Sequence, residues 1–153
     1  MNAKKYLFCS GAALVGFCLF LSPAIAACTI STTSVGFGAY HVFSPTPLDT
    51  TGSVTYRCGS QDTNIRITLD RGGASSFNPR RMLQGTQPLN YNLFLDAART
   101  IIWGDGTGGT QFYGNSNPPN NQNVTVTIFG RIPSGQDVSS GSYTNTITAT
   151  VNF

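Results

Sequence analysis

The sequence predicts an all-β protein, an antiparallel β-sandwich of the immunoglobulin-like type with one disulfide. Apolar and polar residues alternate over short stretches, and Gly, Pro, Asn and Ser mark turns about every ten residues. Long helical patterns are absent outside the apolar N-terminal segment. Short strands at even spacing, joined by such turns, are typical of a sandwich.

Residues 1–26 are predicted to be a secretory signal peptide. Two lysines precede an apolar run over residues 6–21, and Ala24-Ile25-Ala26 supplies the small residues of a cleavage site. The apolar run is short for a bilayer, so a retained membrane anchor is the weaker alternative. Cleavage after Ala26 would leave one exported domain over residues 27–153, and we expect no stable membrane anchor.

The predicted mature chain is almost neutral. The full sequence has nine basic residues, of which two are the signal lysines, and six acidic ones. Seven arginines then face six aspartates, which gives a net charge of about +1. A nucleic-acid-binding protein normally presents a basic stripe, and scattered arginines do not form one. We therefore expect no nucleic-acid partner.

The cysteine count also changes with the cleavage. Cys28 and Cys58 remain as an even pair in an exported protein, which predicts a disulfide. In the chain-entropy model, closing a loop of about thirty residues contributes roughly 3–4 kcal/mol. The alternative is a lipoprotein, because Ile25 to Cys28 resembles a lipobox, and lipidation would leave Cys58 unpaired. A metal site built from two cysteines and one histidine has weaker support.

The alternation places the strands in chain order. We predict a first strand with a glycine bend and then a Pro-containing loop over residues 41–52. A short strand near residue 101 runs into the GDGTGG turn, and residues 131–141 connect to the last strand. The longer predicted strands cover residues 29–40, 53–58, 64–70, 89–97, 123–130 and 140–153, with a short one around Met82 and Leu83.

The last predicted strand is strongly apolar on one face. Threonines at 144, 146, 148 and 150 occupy the opposite face. An open sheet edge beside the apolar face would expose a hydrophobic groove. Either earlier strands of the chain cover this face, or a strand from another polypeptide does. The apolar face consists of Tyr143, Ile147, Ala149, Val151 and Phe153.

No constellation of catalytic residues emerges, and we expect neither enzymatic activity nor a cofactor or metal. His41 is the only histidine, and the sequence has no G-x-S-x-G elbow. The GDGTGG stretch lacks the Lys-Ser/Thr of a P-loop and the acidic spacing of an EF-hand, so we interpret it as a glycine turn. Turn and capping roles explain the six aspartates better than paired-carboxylate chemistry does: Asp49, Asp62, Asp70, Asp96, Asp105 and Asp137.

Four stretches closely resemble the spore coat protein U domain, the family that includes subunits of archaic chaperone–usher (Csu-type) pili. The most specific is the Gly130-Arg131-Ile132-Pro133 block with Gln136, followed by the alternating C-terminal segment and a terminal Phe. The resemblance covers essentially the whole predicted mature chain. The stretches are FGAY at 37–40, GSVTYRC at 52–58, LNYNLFLDAARTIIWGDGTGG at 89–109 and IFGRIPSGQDVSSGSYTNTITATVNF at 128–153.

The resemblance implies an incomplete immunoglobulin-like sandwich that lacks its last strand. A periplasmic chaperone would lend a strand during export, and an outer-membrane usher would pass the subunit outward. The N-terminal segment of the next subunit would then replace the chaperone strand at the cell surface, in a fimbrium or coat. The apolar face of the last strand is the part expected to contact the donor strand: Tyr143, Ile147, Ala149, Val151 and Phe153.

One departure from the family pattern concerns the N-terminus. Fibre-forming subunits of this kind carry roughly a dozen alternating residues before the first strand, to be donated to a neighbour. Cys28 is the second residue after the expected cleavage site. We therefore expect a tip-like or stand-alone subunit, and mass spectrometry of the mature N-terminus tests this.

Two other functions stay open at this stage. A secreted carbohydrate-binding module would use exposed aromatic residues near the glycine loops, namely Trp103, Phe112 and Tyr113. Such residues more often pack in the core or in hairpins. A spore or cell-coat protein exported by the same machinery is the second alternative.

Overall fold

A computed structural model describes residues 28–59 and 62–153, and these form an all-β fold in which neither range contains a helix. The predicted fold class is confirmed. The predicted signal peptide lies outside the described residues. Within those ranges no helix is long and apolar enough to cross a membrane. The strands are β1 Thr29–Thr33, β2 Leu48–Arg57, β3 Ile65–Leu69, β4 Arg80–Gln84, β5 Gln87–Phe94, β6 Tyr113–Asn115, β7 Val124–Ile132 and β8 Ala149–Asn152.

The strands form two antiparallel sheets. The larger sheet has the order β1-β2-β7-β5-β4, and the smaller one has the order β6-β3-β8. The longest ladder joins β2 to β7, from Leu48 opposite Ile132 to Tyr56 opposite Val124. A single bridge between Leu83 of β4 and Thr144 connects the larger sheet to the segment that leads into β8.

The core lies between the inner faces of the two sheets, where the period-two pattern places the apolar side chains. Fully burying one such side chain contributes about 1.5–3 kcal/mol. Trp103 is fully buried, and its indole N–H donates to the carbonyl of Ile67 at 3.0 Å. The main buried positions are Val54, Tyr56, Ile65, Ile67, Leu69, Leu89, Tyr91, Leu93, Ile128 and Ile132.

The predicted disulfide is confirmed. Cys28 and Cys58 are bonded across a sequence separation of 30 residues. The bond ties the residue before β1 to the residue after β2, at the end of the ladder in which Thr29 pairs with Arg57. Because the Cys28 sulfur is engaged with Cys58, the arrangement favours the disulfide over lipidation.

The largest differences from the predicted strands concern the first, the second and the last. The first ends at Thr33, and residues 34–40 leave the ladder, whereas the sequence predicted a strand to residue 40. The loop that follows ends early, because β2 already begins at Leu48, directly after Pro47. Of the predicted last strand, residues 149–152 form a ladder with β3, and the preceding part makes one bridge.

The larger sheet contains a buried arginine that the alternation pattern does not reveal. Arg80 of β4 is 0% exposed. Its guanidinium donates to the carbonyl of Asp70 at 2.9 Å, to Asn92 Oδ1 at 2.9 Å and to the carbonyl of Trp103 at 2.6 Å. Burial lowers the pKa of Arg80 to about 10. The side chain therefore joins β4, β5 and the segments that contain Asp70 and Trp103 through neutral acceptors.

Candidate functional site

A groove of about 790 Å³ runs along one edge of the sandwich. Residues 35–43 form its first wall and residues 138–143 form its second wall, and neither segment belongs to a strand. Met82, Leu89 and Ile132 contribute to the lining between the walls. We call this feature the edge groove.

The first wall is seated on two glycines of the larger sheet. A Cβ at Gly130 would lie 2.7 Å from Val35 Cγ1 and 2.9 Å from Phe37 Cζ, and a Cβ at Gly52 would lie 2.7 Å from Val35 Cγ2. The Phe37 ring also meets the Tyr91 ring edge-on, with the centroids 5.9 Å apart. The first wall therefore occupies the space that a side chain at either of these two glycine positions would fill.

Gly130→Ala should displace this wall. The added methyl group would clash with Val35 and Phe37, and we expect the free energy of unfolding to fall by about 1–3 kcal/mol, as for overpacked cores. Urea denaturation measures this change. Gly114→Ala in β6 is the matched control, because its nearest neighbour would be 3.7 Å away, in ordinary contact. Equal stabilities of the two variants would contradict this account of the wall.

Polar contacts fix the wall at a few points. Thr50 Oγ1 donates to the carbonyl of Gly36 at 2.9 Å. The Tyr40 hydroxyl donates to the carbonyl of Pro133 at 3.1 Å and accepts from the backbone N–H of Gln136 at 2.9 Å. The Gln136 side chain in turn bonds both the N–H and the carbonyl of Asn90, at 2.8 and 2.9 Å. The block from Gly130 to Gln136 thus serves as the corner that holds the first wall to β5.

The second wall is attached to the larger sheet by a hydrogen bond of 3.2 Å from Gln84 Nε2 to the carbonyl of Ser140. Further contacts hold the residues between this wall and β8. Leu83 and Thr144 exchange backbone hydrogen bonds of 2.9 and 3.1 Å. Asn145 Nδ2 donates to the Tyr91 hydroxyl at 2.8 Å. The N–H of Thr148 donates to Asp70 Oδ1 at 3.0 Å. Asp70 therefore has the capping role that its place at a strand end predicted.

The strand after the second wall leaves one backbone edge open. β8 lies at the edge of the smaller sheet, and no strand in the described ranges pairs with its outer edge. The alternation over residues 143–152 matches the prediction, because the threonines are exposed while Tyr143, Ile147, Ala149 and Val151 are half-buried. Of these, Tyr143 lines the edge groove, and the other three continue along β8 and the residues before it. Phe153 is 54% exposed at the chain end.

The edge groove is electrically neutral. Of the described residues that line it, none is Asp, Glu, Lys or Arg, and His41 and Phe43 lie together on the first wall. Phe43 is 97% exposed. The first wall is mainly apolar and the second carries Ser139, Ser140 and Ser142, so an uncharged lining of this kind favours an uncharged partner over an ionic ligand. The sequence predicted the apolar face that includes Tyr143 but not the part of the groove formed by Val35, Phe37 and Met82. The signal that could have located the first wall is the pair of glycines, Gly52 and Gly130, on which Val35 and Phe37 pack.

The aromatic residues considered for carbohydrate binding do not share an open face. Trp103 is fully buried, and the Tyr113 ring packs between Trp103 and Tyr56, with the Tyr56 centroid 5.9 Å away. Phe112 is 38% exposed, but the Arg66 guanidinium lies 3.8 Å above its ring. Trp103 therefore packs in the core, as such residues more often do, and the carbohydrate-binding alternative loses one of its three aromatic residues.

The GDGTGG stretch is a turn, as predicted. Asp105 Oδ1 accepts hydrogen bonds from the N–H and the hydroxyl of Thr107 at 2.8 and 2.6 Å. These contacts hold the pKa of Asp105 below its usual range. Gly106, Gly108 and Gly109 have positive φ, which a turn with few steric limits allows. The carboxylate is thus used within the turn.

Comparison with solved structures gives the class of fold. The chain is similar to the chaperone–tip adhesion subunit pre-assembly complex of the archaic chaperone–usher Csu pili of Acinetobacter baumannii, with a TM-score of 0.59 and 22% identity. The match covers 84% of this chain and 40% of that one. The fold is therefore that of a pilin-like sandwich.

The family follows from the sequence match. Residues 17–150 match the Spore Coat Protein U domain, and the chain belongs to this family. It is also 36% identical over 112 residues to Protein U of Myxococcus xanthus, a match that covers 67% of this chain and 59% of Protein U. The chain thus spans less than two thirds of each of these two relatives. The resemblance inferred from the sequence motifs is confirmed.

Proposed function

We propose that the protein is a non-catalytic structural or adhesive subunit of a surface pilus or coat, completed by a strand from another polypeptide. The observation that carries this proposal is the open edge of β8, the strand that follows the second wall of the uncharged edge groove in the chain. A strand added there would form main-chain hydrogen bonds with β8 and place alternate side chains over the core. Half-buried Ile147, Ala149 and Val151 would become covered.

The inserted strand would run between the two walls. Its inward side chains would contact Val35 and Phe37 on one side, Tyr143 on the other, and Leu89 at the base. Each apolar side chain buried in this way contributes about 1.5–3 kcal/mol before the cost of ordering the strand. The donor is therefore expected to alternate apolar and polar residues and to carry no charge on its inward face.

The partners in this proposal are a periplasmic chaperone, an outer-membrane usher and other subunits of the same fibre or coat. The Acinetobacter baumannii relative of similar fold is itself a chaperone–tip adhesion subunit complex. Export through the periplasm to the cell surface fits the predicted signal peptide and the disulfide. A tip-like or stand-alone position rests on the predicted cleavage after Ala26, and the mass of the mature N-terminus tests it.

Expression of the full chain with and without a chaperone from a chaperone–usher system tests the proposal. We expect the chain to aggregate or be degraded alone and to form a one-to-one complex with the chaperone. Ile147→Asp with Val151→Asp should abolish this complex, because two carboxylates would face the inserted strand. The matched control is Thr146→Asp with Thr150→Asp, which places the same charges on the exposed face of the same segment.

Two outcomes would overturn the proposal. One is normal co-purification of the inward-facing aspartate pair with the chaperone. The other is a wild-type chain that is secreted as a soluble, cooperatively unfolding monomer with the outer edge of β8 protected from hydrogen exchange by its own backbone. In either case the groove would not be a strand-binding site.

A further inference from the structure

A buried carboxylate lies beside the disulfide. Asp62 Oδ2 is 3.6 Å from Cys28 Sγ, and the two sulfurs and a carboxylate oxygen all lie within 4.8 Å of one another. Asp62 is 9% exposed. Because a disulfide has no S–H group, Cys28 cannot donate to this oxygen, and the negative charge stands next to the bonded sulfur. The turn role predicted for Asp62 does not account for this contact.

Two hydrogen bonds fix the carboxylate in this position. The N–H of Gly59 donates to Asp62 Oδ2 at 2.7 Å, and the N–H of Asp62 donates to the carbonyl of Gly59 at 3.2 Å. Both bonds close the turn that follows Cys58. In the unfolded, reduced chain no such turn holds Asp62 against Cys28, from which it is 34 residues away. The contact is therefore a property of the folded chain.

No cation is paired with this carboxylate among the residues that the structure describes. Both ion pairs found there involve Asp49. Arg57, which precedes Cys58, is exposed and donates from Nε to the carbonyl of Asn121 at 3.0 Å. Because Asp62 is largely shielded from water, mobile ions screen its charge weakly. The charge in contact with the sulfurs is therefore negative.

Thiol–disulfide exchange would bring further negative charge to the same place. Cys58 is 1% exposed and Cys28 is half-buried, so an external thiolate reaches Cys28 Sγ first. It bonds to Cys28 Sγ while the S–S bond breaks, and Cys58 Sγ leaves with the electron pair as a thiolate. A second thiolate then attacks the reductant's sulfur in the mixed disulfide, which releases Cys28 as a thiolate and oxidises the reductant to its own disulfide. Each step places a negative sulfur beside Asp62.

We propose that the Asp62 carboxylate protects the Cys28–Cys58 bond of the folded protein against reduction by thiols. Like charges this close repel strongly where screening is weak. The carboxylate therefore opposes both the approach of the reductant thiolate and the release of the protein thiolates. The contact with Cys28 is absent in the unfolded chain, so formation of the bond there is not opposed in this way. The bond can thus form before folding and is retained afterwards in the presence of small thiols.

Asp62→Asn tests the charge directly. Asparagine keeps the size of the side chain, and its oxygen still accepts from the N–H of Gly59, but the negative charge is lost. Reduction of the mature protein by glutathione, in whichever form it is secreted and under native conditions, is followed by alkylation and mass spectrometry of this chain's thiols. We expect Asp62→Asn to be reduced about tenfold faster than the wild type, or more. Asp62→Ser, which is also neutral, should react as Asp62→Asn does.

Asp137→Asn is the matched control, because Asp137 is an exposed aspartate outside the disulfide cluster. It removes the same charge from a place where salt screens it, so the reduction rate should stay within about twofold of that of the wild type. The proposal would be overturned if the neutral variants of Asp62 were reduced at the wild-type rate, or if Asp137→Asn were accelerated as much as they are.

Two thiols of opposite charge separate this effect from a loosening of the turn. Cysteamine carries an ammonium group, and mercaptoethanesulfonate carries a sulfonate. Loss of the Asp62 charge should accelerate reduction by the sulfonate thiol more than reduction by the ammonium thiol, so the ratio of the two rates should change severalfold between the wild type and Asp62→Asn. A loosened turn would accelerate both reactions equally, and an unchanged ratio would overturn the proposal.

This proposal does not depend on the edge groove. A chain that binds no chaperone but shows the expected reduction rates would refute the proposed function alone. A chain that binds the chaperone and whose disulfide is reduced equally fast with and without the Asp62 charge would refute the protective role alone.

Discussion

A version of this chain that carries its own donor strand should be a monomer with a melting temperature higher by on the order of 10 °C. The design adds a short Gly/Asn turn after Phe153 and about ten residues of alternating Val and Thr, long enough to run back between the walls of the edge groove. Five buried valines contribute about 7–15 kcal/mol. Ordering the strand offsets the larger part of this, and a net gain of several kcal/mol remains.

The matched control is a tail of the same length in which Asn replaces each Val. It keeps the turn, the conformational entropy cost of ordering the tail and the potential main-chain hydrogen bonds, but it lacks the apolar side chains. Size-exclusion chromatography and thermal unfolding compare the two. Identical melting temperatures would show that the groove between residues 35–43 and 138–143 does not take a strand.

Arg80→Met should lower the free energy of unfolding by about 3–5 kcal/mol. Methionine fills much of the same volume, but it leaves the carbonyls of Asp70 and Trp103 without the Arg80 donor, and Asn92 Oδ1 keeps only the N–H of Leu93. Each buried acceptor that loses its partner costs about 1–3 kcal/mol. Urea denaturation measures the change, and Arg80→Lys should recover part of it, since an ammonium group donates to fewer of these acceptors at once.

The neighbouring residue provides the control for this experiment. Arg81 lies on the same strand and is exposed, so Arg81→Met should change stability by no more than about 0.5 kcal/mol. If Arg80→Met were as stable as Arg81→Met, the guanidinium would not be what joins β4, β5 and the segment that contains Trp103.

Most of the strands could be predicted because one face of each is buried, and this imposes a period of two. The pattern located β3, β5, β7 and the inward side of residues 143–151. It could not show that Arg80 points inward, since a charged residue in an alternating stretch normally marks the solvent side. The neutral acceptors that make its burial tolerable come from three separate parts of the chain.

Only one side of the edge groove could be predicted, because only that side follows from a local period of two. The apolar face of Tyr143, Ile147 and Val151 follows from local alternation, whereas the first wall does not. Val35 and Phe37 also alternate, and a strand was the natural prediction for them. They pack instead over Gly52 of β2 and Gly130 of β7, and these two glycines come together only when β2 and β7 pair in the folded sheet.

The glycine seat of the first wall has a consequence for how this domain tolerates change. In most strand interiors a glycine is a weak point, and a β-branched residue is an improvement. At Gly52 and Gly130 the opposite holds, because a residue with higher β-propensity would displace the first wall that packs on these glycines. Substitution at these two positions is therefore limited by the first wall, which forms no ladder with them. A sequence chosen for local β-propensity alone would place side chains where the first wall packs and would disturb the edge groove beside it.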